Sequence, residues 1–503
     1  RRPILESMFM DIRICNKALA SIHYLEENNV DPNEINDLKG QAHFIRGYCH
    51  FTLAKIWGPM PYITKVVGPD DQWDIPRLSK HETFIRIAQD FDSAYTYFAL
   101  AGKIRRDNPV VGGPGHLTDS KMRCPNGVAA KAFKARALLY AASPLNNENG
   151  VADWQDAAAA NWEALQLALD NGYRLQPNLA ERKKNFCGAD YTNEDIWAFT
   201  YGNKSWNAGE LQGIMPGIFV STSSGFSGVC PTQNFVDKYE TRWGDPLNTQ
   251  AERDAAASLG HYNEQDMYAD RDPRLNADII YNQQSSMPGW TAGKAQIWMS
   301  YMTGSIVRSE LYEFTGITGG VTRTGYYGRK YNWGNSRYNT GTSSIISDPL
   351  CRLAELYLNY AEAANEAYGP TTAAPGATMT AEEAVREIRT RVGMPGVLAA
   401  YTGSKEAFRE RVKNERNIEL AWEGHYYFDI RRWMDAPKAY TGPLYGVEIE
   451  KVANSGTYSQ MFVTRRVPLS PDRQIKWKEE MYYLPFNTED NFKMRNFVPN
   501  PVW

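Results

Sequence analysis

Few residues in this sequence have the types and spacing that catalysis or metal binding requires. The seven histidines are His23, His43, His50, His81, His116, His261 and His425, and none sits in an HExxH pair or a comparable ligand spacing. His43 and His50 lie two helical turns apart and share a face, which reads as packed imidazoles rather than a zinc site. No phosphate-binding loop and no GxSxG elbow occurs. The six cysteines (Cys15, Cys49, Cys124, Cys187, Cys230 and Cys351) contain no CxxC pair. They read as neither a disulfide framework nor a metal site, and no cofactor is implied. Glu415 and Glu419 fall one helical turn apart, whereas a glycosidase pair must flank a scissile bond from opposite sides. A structural ion-pair network is the better reading. Arg411, Arg416, Arg431 and Arg432 lie nearby in sequence, and buried charge needs partners. The abundance of rings, 14 Trp and 30 Tyr, points instead to recognition surfaces alongside a core.

The remaining composition is that of a globular protein, with a net charge of −3 and no basic block. Binding to nucleic acid is therefore not expected. No apolar run reaches the 18 or so residues of a membrane span.

Helical periodicity organises both ends of the chain. Residues 4–28 and 36–57 form a first hairpin across Asp31-Pro32-Asn33, and Gly58-Pro59 stops it. Residues 80–101 and 127–143 form a second. A helix over 153–171 finds its partner only at 349–367, and helices over 381–392 and 405–424 follow a Pro/Gly/Ala/Thr linker at 369–379. The fold class is mainly α. Four tetratricopeptide-like hairpins form a superhelical scaffold (1–172 plus 349–436), the third split by a large insertion. That insertion, 173–348, is rich in Gly, Asn, Ser, Tyr and Trp and keeps little helical period, as expected of a functional lobe. The C-terminal segment, 437–503, reads as loop-rich and packed on the scaffold.

Several stretches together resemble the SusD/RagB family. They are LKGQAHFIRGYCHFTLAKIWGPMPY (38–62), PTQNFVDKYE (231–240), RDPRL (271–275), RLAELYLNYAEAANE (352–366), NERNIELAWEGHYYFDIRRW (414–433) and YLPFNTEDNFKMRNFVPNPVW (483–503). They occur in the family's order and span nearly the whole chain. His425 and Tyr426 depart from the pattern, standing where an arginine is common after Glu-Gly. The resemblance implies a non-enzymatic binding protein at the cell surface, on the outer membrane, held by a lipid anchor on a cysteine upstream of Arg1. It implies an oligosaccharide ligand, with peptide as the alternative, and a SusC-like TonB-dependent transporter as partner. A segment ahead of the first helix is expected to supply part of the ligand surface.

Sugar C–H faces stack on flat rings while their hydroxyls need short polar partners. The stretches that offer both are Arg329, Tyr331, Asn332 and Trp333 between Gly328 and Gly334, preceded by Tyr327; Trp290 and Trp298 with Gln296; Trp73 within Asp70–Asp74; and Trp206. At least one of Trp290, Trp298 and Trp333 is expected to form a stacking platform. Two other classes compete: a glycoside hydrolase, which lacks a catalytic constellation, and a cytosolic repeat scaffold, which the insertion and the family motifs disfavour.

Overall fold

The computed structural model describes residues 2–106, 124–187, 191–201, 229–285, 294–309, 321–331, 346–486 and 496–501. Helices α1 (Arg2–Ala20), α2 (Ile22–Glu27), α3 (Pro32–Trp57), α4 (Lys80–Leu100), α5 (Gly127–Ala142) and α6 (Val151–Asp170) form the N-terminal part. Helices α7 (Leu353–Tyr368), α8 (Ala381–Thr390), α9 (Lys405–Glu419) and α10 (Tyr426–Arg432) follow the insertion. Their starts are set by side chains that satisfy orphan N–H groups. Ser79 Oγ accepts from the Glu82 amide at 3.1 Å, Asn126 Oδ1 from Ala129 at 2.9 Å, and Thr380 forms a reciprocal box with Glu383. The helix expected over 4–28 is broken at Ser21, leaving α1 and α2 as two pieces.

The long helices pack in sequence, α3 on α4, α4 on α5, α5 on α6, and then α6 directly on α7 across the whole insertion. Small residues let them approach. Ala129, Ala132, Ala157, Ala164, Ala361 and Ala364 are all fully buried. Phe44 fills the centre, with Phe91 and Phe133 ring centroids each 5.3 Å away. Trp197, a residue of the insertion, completes that cluster 4.9 Å from Phe44.

The insertion leaves and re-enters the scaffold through an antiparallel pair, β1 (Asp195–Tyr201) with β6 (Ile346–Arg352). Further out, β2 (Ile279–Ile280) pairs β5 (Tyr327–Gly328). A four-stranded sheet runs β4 (Val307–Arg308), β3 (Met299–Ser300), β7 (Tyr445–Lys451), β8 (Phe462–Pro468).

The last two strands correct the sequence reading of the C-terminal segment. Residues 445–468 form a hairpin that joins the lobe, putting Val447, Ile449 and Phe462 into the lobe's own core with Tyr239, Leu275 and Tyr326. From Trp477 onward the segment packs on the scaffold, where Trp477 and Tyr482 meet Ile430 and Trp433, Asn500 Nδ2 donates to Trp57 O at 2.7 Å, and Phe486 packs on Phe497. The closeness of hairpin and lobe explains Gly325. Its φ is +87°, and a Cβ there would lie 2.7 Å from the Val447 carbonyl, so only glycine fits.

Helix α9 stops at Glu419, five residues short of the expected end. Trp422 takes φ +60°, and buried cations claim the carbonyls the helix leaves open. Lys330 Nζ donates to Glu419 O at 2.8 Å and Ala421 O at 2.9 Å, and Arg352 Nη2 to Glu419 O at 2.8 Å.

Candidate functional site

Lobe and scaffold meet on buried charge. Glu419, fully buried, pairs with Arg391 at 2.6 Å, Arg352 at 2.8 Å, Arg274 at 3.1 Å and Arg182 at 3.2 Å. Glu415 pairs with Arg274 and, at 3.1 Å, with Arg389. Glu194, at the root of the lobe, takes Arg352 at 2.6 Å and Arg391 at 2.7 Å. The expected ion-pair network is present, but its arginines are not those nearest in sequence. Arg416 and Arg432 turn to Asp429 at 2.7 and 2.8 Å, Arg411 to Glu240 at 3.4 Å, and Arg431 stacks 3.5 Å over Tyr427.

The electrostatics follow from this packing. Burial alone would raise the Glu194 carboxyl, but Arg391 and Arg352 hold it at about 2. Burial opposes Glu419 in the same way, and its four guanidiniums hold it well below the carboxylate range. Neither Glu415 nor Glu419 reaches solvent, so neither can meet a scissile bond.

The sequence-derived site residues divide into three groups. Trp290, Asn332, Trp333 and Trp206 lie outside the described residues. Tyr327, Arg329 and Tyr331 are inside the lobe rather than on its surface. Tyr327 is fully buried in β5, its hydroxyl accepting from the Thr322 amide at 3.0 Å. Arg329 is 4% exposed and donates to Asn276 O at 2.8 Å; burial lowers its pKa. Tyr331 packs edge-on against Phe186 at 5.3 Å, and burial drives its phenol well above the ordinary value. The flanking Gly328 is inside as well, with Trp422 3.8 Å from where a Cβ would sit, an ordinary contact distance.

Trp73 and Trp298 form the third group. Trp73 is 57% exposed in the loop after α3, beside Asp74, whose carboxylate accepts from the Asn496 amide at 3.1 Å. Trp298 is half-buried at the start of β3. Its Nε1 donates to Gln296 Oε1 at 2.6 Å, and that oxygen also accepts from Gln283 Nε2 at 3.0 Å. Lys451 Nζ lies 4.8 Å from the Trp298 ring centre, a cation–π contact that covers part of one face.

Beside Trp298 the structure adds residues that composition did not single out. The β3–β4 turn leaves Tyr301, Met302, Ile306 and Val307 exposed. Gly304, at φ +81°, lets the turn close, its amide donating to Tyr301 O at 3.0 Å. The Trp298 ring, held by Gln296, and the exposed Tyr301 thus lie three residues apart at the β3–β4 end of the lobe sheet. The only sequence signal was the short spacing from Trp298 to Tyr301. No group of three or more His, Cys, Asp or Glu able to hold a metal ion occurs among the described residues.

Residues 193–503 match the family described as "SusD family". The chain belongs to the SusD family. Residues 3–101 match a further family described as "Starch-binding associating with outer membrane". SusD-like protein P2 of Formosa agariphila is 23% identical over 451 residues, covering 85% of this chain and 74% of that protein. A SusD-like protein of Bacteroides fragilis NCTC 9343 superposes with a TM-score of 0.70 at 23% identity, covering 99% of this chain and 86% of its own. A "Laminarin binding SusD-like protein" superposes with a TM-score of 0.57 at 17% identity, covering 100% and 86%. The mainly helical, tetratricopeptide-like scaffold read from periodicity is the fold of these structures. Among the described residues no helix is long and apolar enough to cross a membrane.

Proposed function

We propose that this protein binds carbohydrate at the outer face of the outer membrane and passes it to a SusC-like TonB-dependent transporter. The observation that carries the reading is the Trp298 edge: a ring fixed by an amide network, with the exposed ring of Tyr301 three residues further on. Such a surface offers a C–H stacking face and hydroxyl partners together. Family membership supports the ligand class, as does the laminarin-binding protein that shares the fold. The scaffold supports the delivery role, because the outer side of α1 leaves Ile4, Met10 and Ile14 exposed, an apolar surface suited to a partner. The anchor on an upstream cysteine belongs to the same reading.

The test is a glycan array run beside a peptide array, with starch and laminarin as first polysaccharides, followed by product analysis of whatever binds. Glycan capture without cleavage supports the proposal. Peptide capture alone moves the protein to peptide uptake, and release of shorter sugars makes it an enzyme.

A further inference from the structure

A cavity of about 320 Å³ lies away from the lobe edge, between α3, α5, β6 and the turn before α10. Three of the polar groups on its wall have no hydrogen-bond or ion-pair partner among the described residues. Lys55 Nζ contacts only rings, 4.6 Å from the centre of Phe428 and 5.8 Å from that of Phe51. Tyr140 is 5% exposed, and its ring lies 5.0 Å from Phe51 on the same wall. No acceptor meets its hydroxyl. Asp348, next to Pro349 and Leu350, has no donor.

The cavity's remaining charges are already matched. Arg136 pairs with Glu355 at 2.5 Å, and Glu423 with Lys330 at 2.6 Å and Arg352 at 2.7 Å. Burial lowers the Lys55 ammonium to about 8, with Arg136 pushing the same way; burial raises the Asp348 carboxyl, helped by Glu423. Burial likewise drives His425 well below its ordinary value, so it stands neutral. Lys55 and Asp348 are half-exposed and the Tyr140 ring is buried, so these polar groups open onto the cavity, where a bound molecule can meet them.

We infer that this cavity is a second binding site, for a small hydroxylated carboxylate of the sugar-acid class. The carboxylate would accept from Lys55 Nζ and Tyr140 Oη. A hydroxyl would donate to Asp348, and the C–H face would lie against Trp422 and Phe51. The cavity is large enough for one sugar ring and its substituents. The inference is independent of the Trp298 edge.

Calorimetric titration of the full chain with glucuronate and galacturonate, with glucose and phenylalanine alongside, tests it. At least one uronate should bind. Lys55→Met should weaken it by about tenfold or more, since a charge-assisted contact is lost, and Tyr140→Phe by less. The same Lys55→Met should leave the melting temperature of the ligand-free protein unchanged or higher, because it removes a half-buried charge that lies against the rings of Phe51 and Phe428. A lysine kept only for structure would lower it. No uronate binding, binding that Lys55→Met does not alter, equal binding of glucose, or binding of phenylalanine alone would each overturn the assignment.

Discussion

The scaffold and its junction with the lobe are both buried, yet different physics holds them. Between α3, α4, α5, α6 and α7 the contacts are mainly apolar, small residues such as Ala132, Ala157 and Ala361 around Phe44, Phe91 and Phe133, with the Arg136–Glu355 pair buried beside them. Between scaffold and lobe the contacts are guanidinium against carboxylate, centred on Glu419. Apolar packing tolerates modest change in shape and is indifferent to protonation. An ionic junction is specific in geometry and needs every partner. This fold therefore has a base that stacks mainly on helical period, and a lobe attached by an ionic lock in which each piece comes from a different segment.

The sharpest break is Glu419→Ala, which strands Arg182, Arg274, Arg352 and Arg391. We expect a loss of roughly 3–5 kcal/mol in urea unfolding at neutral pH. Phe133→Ala should lose about as much, ~3–5 kcal/mol, by leaving a cavity beside Phe44 and Trp197. Acid separates the two. The folded-state values of Glu194 and Glu419 are depressed, so the stability they contribute is fully present above the unfolded carboxylate value. That stability drains away as pH falls from about 4.5 toward about 2. The penalty of Glu419→Ala should shrink over that window while that of Phe133→Ala persists. Equal pH profiles for the two variants would remove the distinction. A smaller effect is expected at the lobe hairpin. Gly325→Ala forces a side chain into a left-handed backbone and onto Val447, and should lower stability by about 1–3 kcal/mol, read as a lower urea midpoint.

How much of this was legible in the sequence follows the same division. Helix α4 was readable because Phe84, Ile87, Phe91, Ala94 and Phe98 keep a helical period and Ser79 marks its start. The junction was readable only in kind. Charges on the buried face of α9 announce that partners exist, but Arg182, Arg274 and Arg352 are distant in sequence and share no period with it. The β7–β8 hairpin was missed although Val447 and Ile449 alternate inward, because two short strands between prolines resemble a loop. Tyr327 and Arg329 misled for a related reason. A glycine beside aromatic and charged residues suggests an exposed turn, yet here Gly328 lies in the buried strand β5, paired with β2 and packed near Trp422. Trp298 was legible because Gln296, which fixes it, is its near neighbour.

The most direct test is calorimetric titration of a polysaccharide taken from the array into the full chain, into Trp298→Ala and Tyr301→Ala, and into the double variant. The expected result is a loss of about tenfold in affinity for Trp298→Ala, less for Tyr301→Ala and the most for the double variant. All three should melt within a few degrees of the parent, since neither ring is fully buried. Unchanged affinity in the folded double variant would contradict a carbohydrate site on this edge of the lobe.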